Sequence, residues 1–403
     1  MAVSTAPRRT SATRRTTLRG WAELDWILLG AVTVLAVIGC VLVWSATIHR
    51  DHLTGGDPRA YFVKQLVNLA IGLGLMALVA ATDHRWVRIL APIAYLFAIG
   101  GLVLVLTMGS TINGSRSWLM IGGLSLQPSE LAKLAVVVGM ALVVAERHEG
   151  HWRDRVGTSD VVLMLTVAAV PAVLILAQPD LGTMLVLTAT VFGVIAASGA
   201  HRRWLAGLGL GGIAVAGFAV ASGFLEEYQV DRFLAFTDPD LDPKGAGYNV
   251  EQARIAVGNG GLFGQGLFDG SQTRAGFVPE QHTDFVFTVA GEELGLVGAL
   301  VIVALLGVVL WRALRIAQRA DDVFGRIAAA GIACWFGFQA FQNIGMCLGI
   351  MPVTGVPLPF ISYGGSSMFA GMLAIGLLQN IHLRSVSSPA ARMRPVQRSL
   401  VRG

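Results

Sequence analysis

Ten separate stretches of this chain are each apolar over about twenty residues, long enough for a helix to cross a lipid bilayer, and that pattern leaves few folds open. They run from Trp26 to Ile48, Phe62 to Thr82, Val87 to Met108, Ser129 to Ala145, Val161 to Ala177, Leu181 to Ser198, Trp204 to Phe224, Phe285 to Leu310, Ile327 to Gly345 and Ser362 to Leu383. Hydrocarbon offers no hydrogen-bond partner to a backbone amide or carbonyl, so each span must satisfy its own groups as a helix. Of the 403 residues 54% are hydrophobic and only 14% charged, too apolar for a string of water-soluble domains and without the alternating strands of an outer-membrane barrel. A disordered, collagen-like or nucleic-acid-binding chain is excluded on the same ground. The expected fold is an all-α polytopic membrane protein of ten transmembrane helices surrounded by membrane lipids.

The basic residues orient such a bundle. With the N-terminus in the cytoplasm, the head, four connecting loops and the tail carry 21 of the 30 Lys and Arg, against seven on the opposite side (Arg50, Arg59, Arg116, Arg232, Lys244, Arg254 and Arg274). Both termini are therefore expected in the cytoplasm. The predicted organisation is a cytoplasmic basic head over 1–25, a membrane domain over 26–385 and a cytoplasmic basic tail over 386–403. Thr13-Arg14-Arg15-Thr16 faintly resembles a twin-arginine signal, but no small-residue cleavage site follows, so the head reads as an uncleaved anchor. One long extracytoplasmic segment, 225–283, separates the seventh and eighth spans; it is acidic, with a predicted helix over Tyr248 to Val257 and a glycine-punctuated stretch from Gly258 to Gly270. A connection of that length inside a compact protein is functional more often than not.

Ionisable groups within or at the rim of an apolar span are costly and mark function. Glu130 and Lys133 open the fourth span three residues apart, on one helix face, and suit either a structural ion pair or a site. Arg116 stands just before them beside Trp118, where it either anchors the interface or binds a phosphate through its bidentate fork. Asp284 follows Pro279-Glu280-Gln281-His282-Thr283 and precedes an apolar run, at the border of water and hydrocarbon. Burial there raises a carboxyl pKa towards what a general base needs, whereas a helix N-cap is the plainer role. Glu292 and Glu293 lie two turns further on, with Gly291 and Gly295 beside them. Pro352 to Ser367 holds three prolines and three glycines and is expected as a re-entrant or kinked loop. Cys40, Cys334 and Cys347 lack disulfide or zinc spacing and read as packing residues. His282 has no second histidine at ligand spacing, so a divalent cation (Mg or Mn), if one takes part, must use carboxylates and substrate phosphates; no organic cofactor is expected.

Six motifs in order resemble the SEDS (shape, elongation, division and sporulation) family, the RodA and FtsW proteins: Asn113-Gly114-Ser115-Arg116-Ser117-Trp118-Leu119, Leu126-Gln127-Pro128-Ser129-Glu130-Leu131-Ala132-Lys133, Gln178-Pro179-Asp180-Leu181-Gly182-Thr183, Gly247-Tyr248 through Gln272, Pro279 through Phe285, and Asn343-Ile344-Gly345-Met346 through Ser367. The resemblance covers roughly residues 25–385. It implies ten transmembrane helices, a large extracytoplasmic loop between the seventh and eighth, and a peptidoglycan glycosyltransferase that polymerises lipid II with release of undecaprenyl diphosphate. It puts Asp284 on the family's essential aspartate. Arg116, Glu130 and Lys133 fall on its polar group, and Trp118, Gln272, Glu280, His282, Ser362 and Ser366 stand in its motifs as substrate-binding positions. Met346 after Asn-Ile-Gly, the short tails and Phe277-Val278-Pro279-Glu280 look most like RodA, hence a role in elongation and rod shape. The alternatives are an FtsW-like division polymerase, a lipid II flippase and a non-enzymatic scaffold. Ser117 between Arg116 and Trp118 departs from members that place the Arg directly before the Trp. The implied partner is a class B penicillin-binding transpeptidase in the bacterial cytoplasmic membrane.

Overall fold

The computed structural model describes residues 23–112, 115–121, 124–148, 156–222 and 245–387. The basic head up to 22, the tail from 388 and residues 223–244 of the long loop, all part of the predicted organisation, lie outside them. Ten long helices occupy the ten predicted spans: α1 (Trp26–Thr47), α3 (Ala60–Ala81), α4 (His84–Met108), α5 (Pro128–His148), α6 (Thr158–Leu176), α7 (Leu181–Ser198), α8 (Arg202–Ala221), α11 (Val286–Arg319), α12 (Val323–Cys347) and α13 (Gly365–Ser387). Short helices α2 (Asp51–Thr54), α9 (Ala246–Asn259) and α10 (Ser271–Ala275) join them at one end. Among the described residues nine of the long helices, all but α8, meet the length and hydropathy of a membrane crossing, and α8 fills the place of the seventh predicted span with 20 residues. The protein is a multi-pass membrane protein.

The centre of the bundle is α5, α12 and α13, most of whose residues are buried. Small residues let them approach: α12 buries Gly325, Ala328, Ala329, Gly331 and Ala333, and a Cβ on Gly331 would press into Val137 of α5 and Val194 of α7. Helices α3, α4 and α8 keep most of their apolar side chains exposed, as lipid-facing helices do. The three cysteines are free, as expected of packing residues, and Cys334 sits where a Cβ on Gly193 would collide.

Two features correct the purely helical expectation. Between α4 and α5 the chain forms a small antiparallel sheet, β1 (Ser110–Ile112), β2 (Ser115–Ile121) and β3 (Leu124–Leu126), in the order β1-β2-β3. The eighth span, read from hydropathy as one crossing from Phe285 to Leu310, is broken: Gly295 has φ 66° and ψ −167°, so a short helix, 286–294, precedes the long crossing, which runs on to Arg319. The glycine-punctuated loop satisfies the groups this break exposes. The carbonyls of Gly261 and Leu262 accept from Leu296 and Val297 N–H (2.9 and 3.1 Å), while Gln265 and Gly266 N–H donate to the carbonyls of Glu292 and Glu293 (2.9 and 3.1 Å). A Cβ on Gly260 or Gly264 would overlap the carbonyls of Gly291 or Glu293, which explains the glycines. Gly295→Ala is expected to lower stability by about 1–3 kcal/mol, because a Cβ there meets Gly264 and the backbone leaves the regions open to alanine; a lowered thermal midpoint of the purified protein checks it.

Candidate active site

Asp284 is placed by a turn rather than by the helix that follows. Glu280 takes φ +46°, uncommon for a residue with a side chain, and its carbonyl then accepts from the N–H groups of Thr283, Asp284 and Phe285 (3.2, 3.0 and 3.3 Å). Asn343 on α12 closes the other side: its Nδ2 donates to the carbonyls of both Asp284 and Val356, each at 2.7 Å. Asp284 is thereby tied to the segment between α12 and α13, where Gly355 (φ +69°) lies against its carboxylate; a Cβ on Gly355 would stand 3.2 Å from Asp284 Oδ2.

That segment, Pro352 to Leu358, is irregular and mostly buried, as the proline and glycine content predicts. Its carbonyls are satisfied by three amides from one face of α12: Gln339 Nε2 donates to Pro357 O (2.8 Å), Gln342 Nε2 to Pro352 O (3.3 Å) and Thr354 Oγ1 (3.1 Å), and Asn343 to Val356 O. Irregular backbone at this depth is stable only with such partners. On the far side Gly182 of α7 comes so close that a Cβ would overlap the Thr354 carbonyl.

The turn, this segment, the sheet and the start of α7 enclose a cavity of about 160 Å³, lined by Trp118, Gln127, Asp180, Glu280, Asp284 and Tyr363, with Ser117, Thr283, Gly355 and Ser366 among the remaining wall residues. Asp180 caps α7, accepting from Thr183 N–H (3.0 Å) and Thr183 Oγ1 (2.8 Å), and takes a further bond from Gln127 Nε2 (3.2 Å). Ser366 Oγ accepts from Gln127 N–H (2.8 Å). Asp284 and Glu280 face the same space, so a proton-accepting carboxylate and hydroxyl and amide groups suited to a sugar converge there. Gly355→Ala is expected to cut turnover through the crowded carboxylate while leaving the thermal midpoint lowered only by the cost of alanine at positive φ; initial rates and melting on one preparation check it.

The other expected site residues are placed elsewhere. Glu130 and Lys133 form a buried ion pair, Nζ to Oε1 2.8 Å with relative exposures of 2% and 0%, and Lys133 also donates to Gln339 Oε1 (2.8 Å). The pair therefore stands behind the Pro352–Leu358 segment, not in the cavity wall. Arg116 is exposed on β2, and its guanidinium caps the end of α4 by donating to the Gly109 and Thr107 carbonyls (2.8 and 2.9 Å). Neither Arg nor Lys is among the cavity-lining residues described. Gln272 starts α10, its N–H donating to Glu292 Oε1 (2.6 Å), and Ser362 Oγ accepts from Leu358 N–H (2.8 Å). Glu292 also accepts from Ser271 Oγ and from both the N–H and the hydroxyl of Thr273, and Glu293 accepts from Ser45 Oγ on α1, so these two carboxylates fasten the loop to the bundle. Among the described residues no three His, Cys, Asp or Glu side chains gather as a metal cluster.

His282 is buried against Tyr61 and Tyr363, ring centroids 4.9 and 5.8 Å away. Burial, with the Arg50 guanidinium nearby, lowers its pKa from 6.5 to about 4, so the ring is neutral near pH 7 and is not a cation for a phosphate. The unfolded chain binds this proton more readily than the folded one. The stability that comes from keeping the ring neutral is thus full above about pH 6.5 and is lost as pH falls through about 4. His282→Phe, which keeps the ring contacts, is expected to flatten the loss of thermal stability across that window. Arg50, which the sequence offered only as a loop charge, holds the turn from below, its Nη2 donating to Val278 O and Gln281 Oε1, both at 2.9 Å.

A family model described as cell cycle protein, for FtsW, RodA and SpoVE, matches residues 25–386. The chain belongs to this family. It is similar to the peptidoglycan glycosyltransferase MrdB of Escherichia coli (strain K12), 36% identical over 362 residues, 89% of this chain and 94% of that protein. Stage V sporulation protein E of Bacillus subtilis is 36% identical over 361 residues, 89% of this chain and 96% of that protein. The crystal structure of Thermus thermophilus rod shape determining protein RodA superposes with a TM-score of 0.66 at 32% identity, covering 91% of this chain and 99% of that one. A structure described as the structural coordination of polymerization and crosslinking by a peptidoglycan synthase complex gives a TM-score of 0.75 at 32% identity, over 91% of this chain and 100% of the matched one. The family and the ten-helix architecture that the motifs implied are thus borne out.

Proposed function

We infer that this protein is a peptidoglycan glycosyltransferase that polymerises lipid II, serving cell elongation in the manner of RodA. The observation that carries the reading is Asp284: a carboxylate fixed by Glu280 and Asn343 on the wall of a polar cavity at the end of a membrane bundle. The acceptor's GlcNAc 4-hydroxyl attacks the anomeric carbon of the lipid-linked MurNAc, Asp284 takes the hydroxyl proton, the configuration inverts and undecaprenyl diphosphate leaves. A general base typically contributes about 10²- to 10⁴-fold. A diphosphate is a good enough leaving group to need no general acid, so of the carboxylates on the cavity wall only Asp284 has to move a proton.

Trp118, Tyr363 and Ser366 bound the space for the sugars, while the polyprenyl chains stay among lipids. Arg116, exposed next to the wall residues Ser117 and Trp118, is the cation for the diphosphate, and Lys133 acts through the segment it supports. A Mg or Mn ion arriving with the diphosphate would find two hard oxygen donors in Glu280 and Asp284, and its charge would stabilise the leaving group. The protein lies in the bacterial cytoplasmic membrane with both termini inside, which puts the Asp284 end outside, and a class B penicillin-binding transpeptidase crosslinks its product. The test is polymerisation of labelled lipid II by the purified protein, alone and with its coexpressed transpeptidase. Glycan ladders are expected; labelled lipid II that stays monomeric under both conditions overturns the reading.

A further inference from the structure

A second cavity lies at the other end of the bundle, away from Asp284. It measures about 620 Å³ and is lined by Thr82, Asp83, His84, Arg85, Asn380 and Arg384 among others, where α3 turns into α4 and α13 ends. Its floor is built. Asn380 Nδ2 donates to the Val79 and Thr82 carbonyls (3.1 and 2.5 Å), which turns its Oδ1 towards His84 Nδ1 at 3.3 Å. His84 Nε2 meets Asp322 Oδ2 at 2.9 Å, and Asp322 in turn caps α12 through Gly325 N–H. Of the two carboxylates here, Asp322 is held by His84 and Gly325, while Asp83, an exposed wall residue, accepts the N–H of Arg85 at the start of α4.

The rim is cationic. Arg384 is about half exposed and pairs with Asp322 at 3.7 Å, and the exposed Arg85 has no ion-pair partner among the described residues. Beside Arg85, Trp86 is 57% exposed and Ile89 58%, the placement of an aromatic and an aliphatic group at a membrane surface. This is also the end towards which the arginine-rich connections point. A concave site at the ends of three membrane helices, where Arg85 and the loosely paired Arg384 outnumber the one lining carboxylate, Asp83, has the chemistry to hold a phosphate oxyanion, and basic pockets between membrane helices bind anionic headgroups.

We propose that the cavity between the α3–α4 turn and the end of α13 binds the phosphate of an anionic phospholipid headgroup through Arg85 and Arg384. The site is separate from the polymerase reading and stands or falls without it.

The test uses full-length protein in vesicles or nanodiscs of phosphatidylcholine alone and with phosphatidylglycerol, reading lipid retained by native mass spectrometry and the thermal midpoint. Wild type is expected to retain phosphatidylglycerol in preference to phosphatidylcholine and to melt higher with it. Arg85→Gln and Arg384→Gln should each weaken retention about fivefold and the double variant more than tenfold. Arg202→Gln with Arg203→Gln, at the same end on α8, should change neither. Melting in pure phosphatidylcholine shows that the variants are folded. Stabilisation of wild type, but not of the double variant, by inorganic phosphate in phosphatidylcholine would keep the oxyanion site and make a soluble phosphate its source. Equal retention by wild type and the double variant, or an equal loss in the Arg202/Arg203 variant, overturns the proposal.

Discussion

Asp284→Asn is expected to yield a folded, membrane-inserted protein whose polymerisation of lipid II falls by at least about 10²-fold, the lower bound for losing a general base. The substitution removes the proton-accepting oxygen and keeps the side chain's volume. The backbone bonds that hold the residue, Asp284 N–H to the Glu280 carbonyl and Asn343 Nδ2 to the Asp284 carbonyl, do not involve the side chain, so the turn and the Pro352–Leu358 segment should keep their places. Lipid II binding should change far less than turnover, since an amide fills the same volume. Single-turnover rates and lipid II binding on the same preparation, with the thermal midpoint as a check of folding, separate these effects. Activity within a few-fold of wild type would remove Asp284 as the base and leave Glu280, four residues earlier on the same wall, as the carboxylate to examine.

The ten crossings were legible because a bilayer demands about twenty apolar residues whatever the packing, and the observed helices begin and end within a few residues of the predicted spans until the eighth. There Glu292 and Glu293 interrupt the apolar run just before the break, but hydropathy averaged over a span hides two acids, and one glycine at positive φ leaves no trace in it. The sheet between Ser110 and Leu126 was missed because strands of three and seven residues carry too little pattern to be seen. Asp284, Glu280, Trp118 and Ser366 were all found from motifs, and they converge on one cavity. Gln339 and Gln342 stand in none of the motifs, and Asn343, which opens the sixth, carries no expected role, although three amides at helical spacing inside an apolar span signal a polar face. Asp180 stood in a quoted motif and was not assigned a place in the site, while Lys133 was assigned one that burial denies it.

That burial makes a second large effect calculable. Lys133 has no exposed surface, bonds Glu130 and Gln339, and lies over the Trp335 ring with Nζ 5.2 Å from its centroid. Lys133→Met keeps much of the volume but leaves the Glu130 carboxylate buried without its counter-charge, and breaking such a pair costs about 3–5 kcal/mol. Gln339 keeps its bond from Trp335 Nε1 (2.7 Å) but loses the lysine that fixes its amide beneath the Pro357 carbonyl. The variant is therefore expected to melt well below wild type and to lose activity with its fold. Glu130→Gln combined with Lys133→Met removes the stranded charge, so the double variant should recover a large part of the lost stability, measured by thermal unfolding in detergent. Full recovery of stability without recovery of polymerisation would show that the pair also serves the chemistry through the Pro352–Leu358 segment. A single Lys133→Met variant that melts like wild type yet makes no glycan would instead return Lys133 to the substrate, because a lysine whose only task is to neutralise Glu130 and hold Gln339 cannot be removed without cost to the fold.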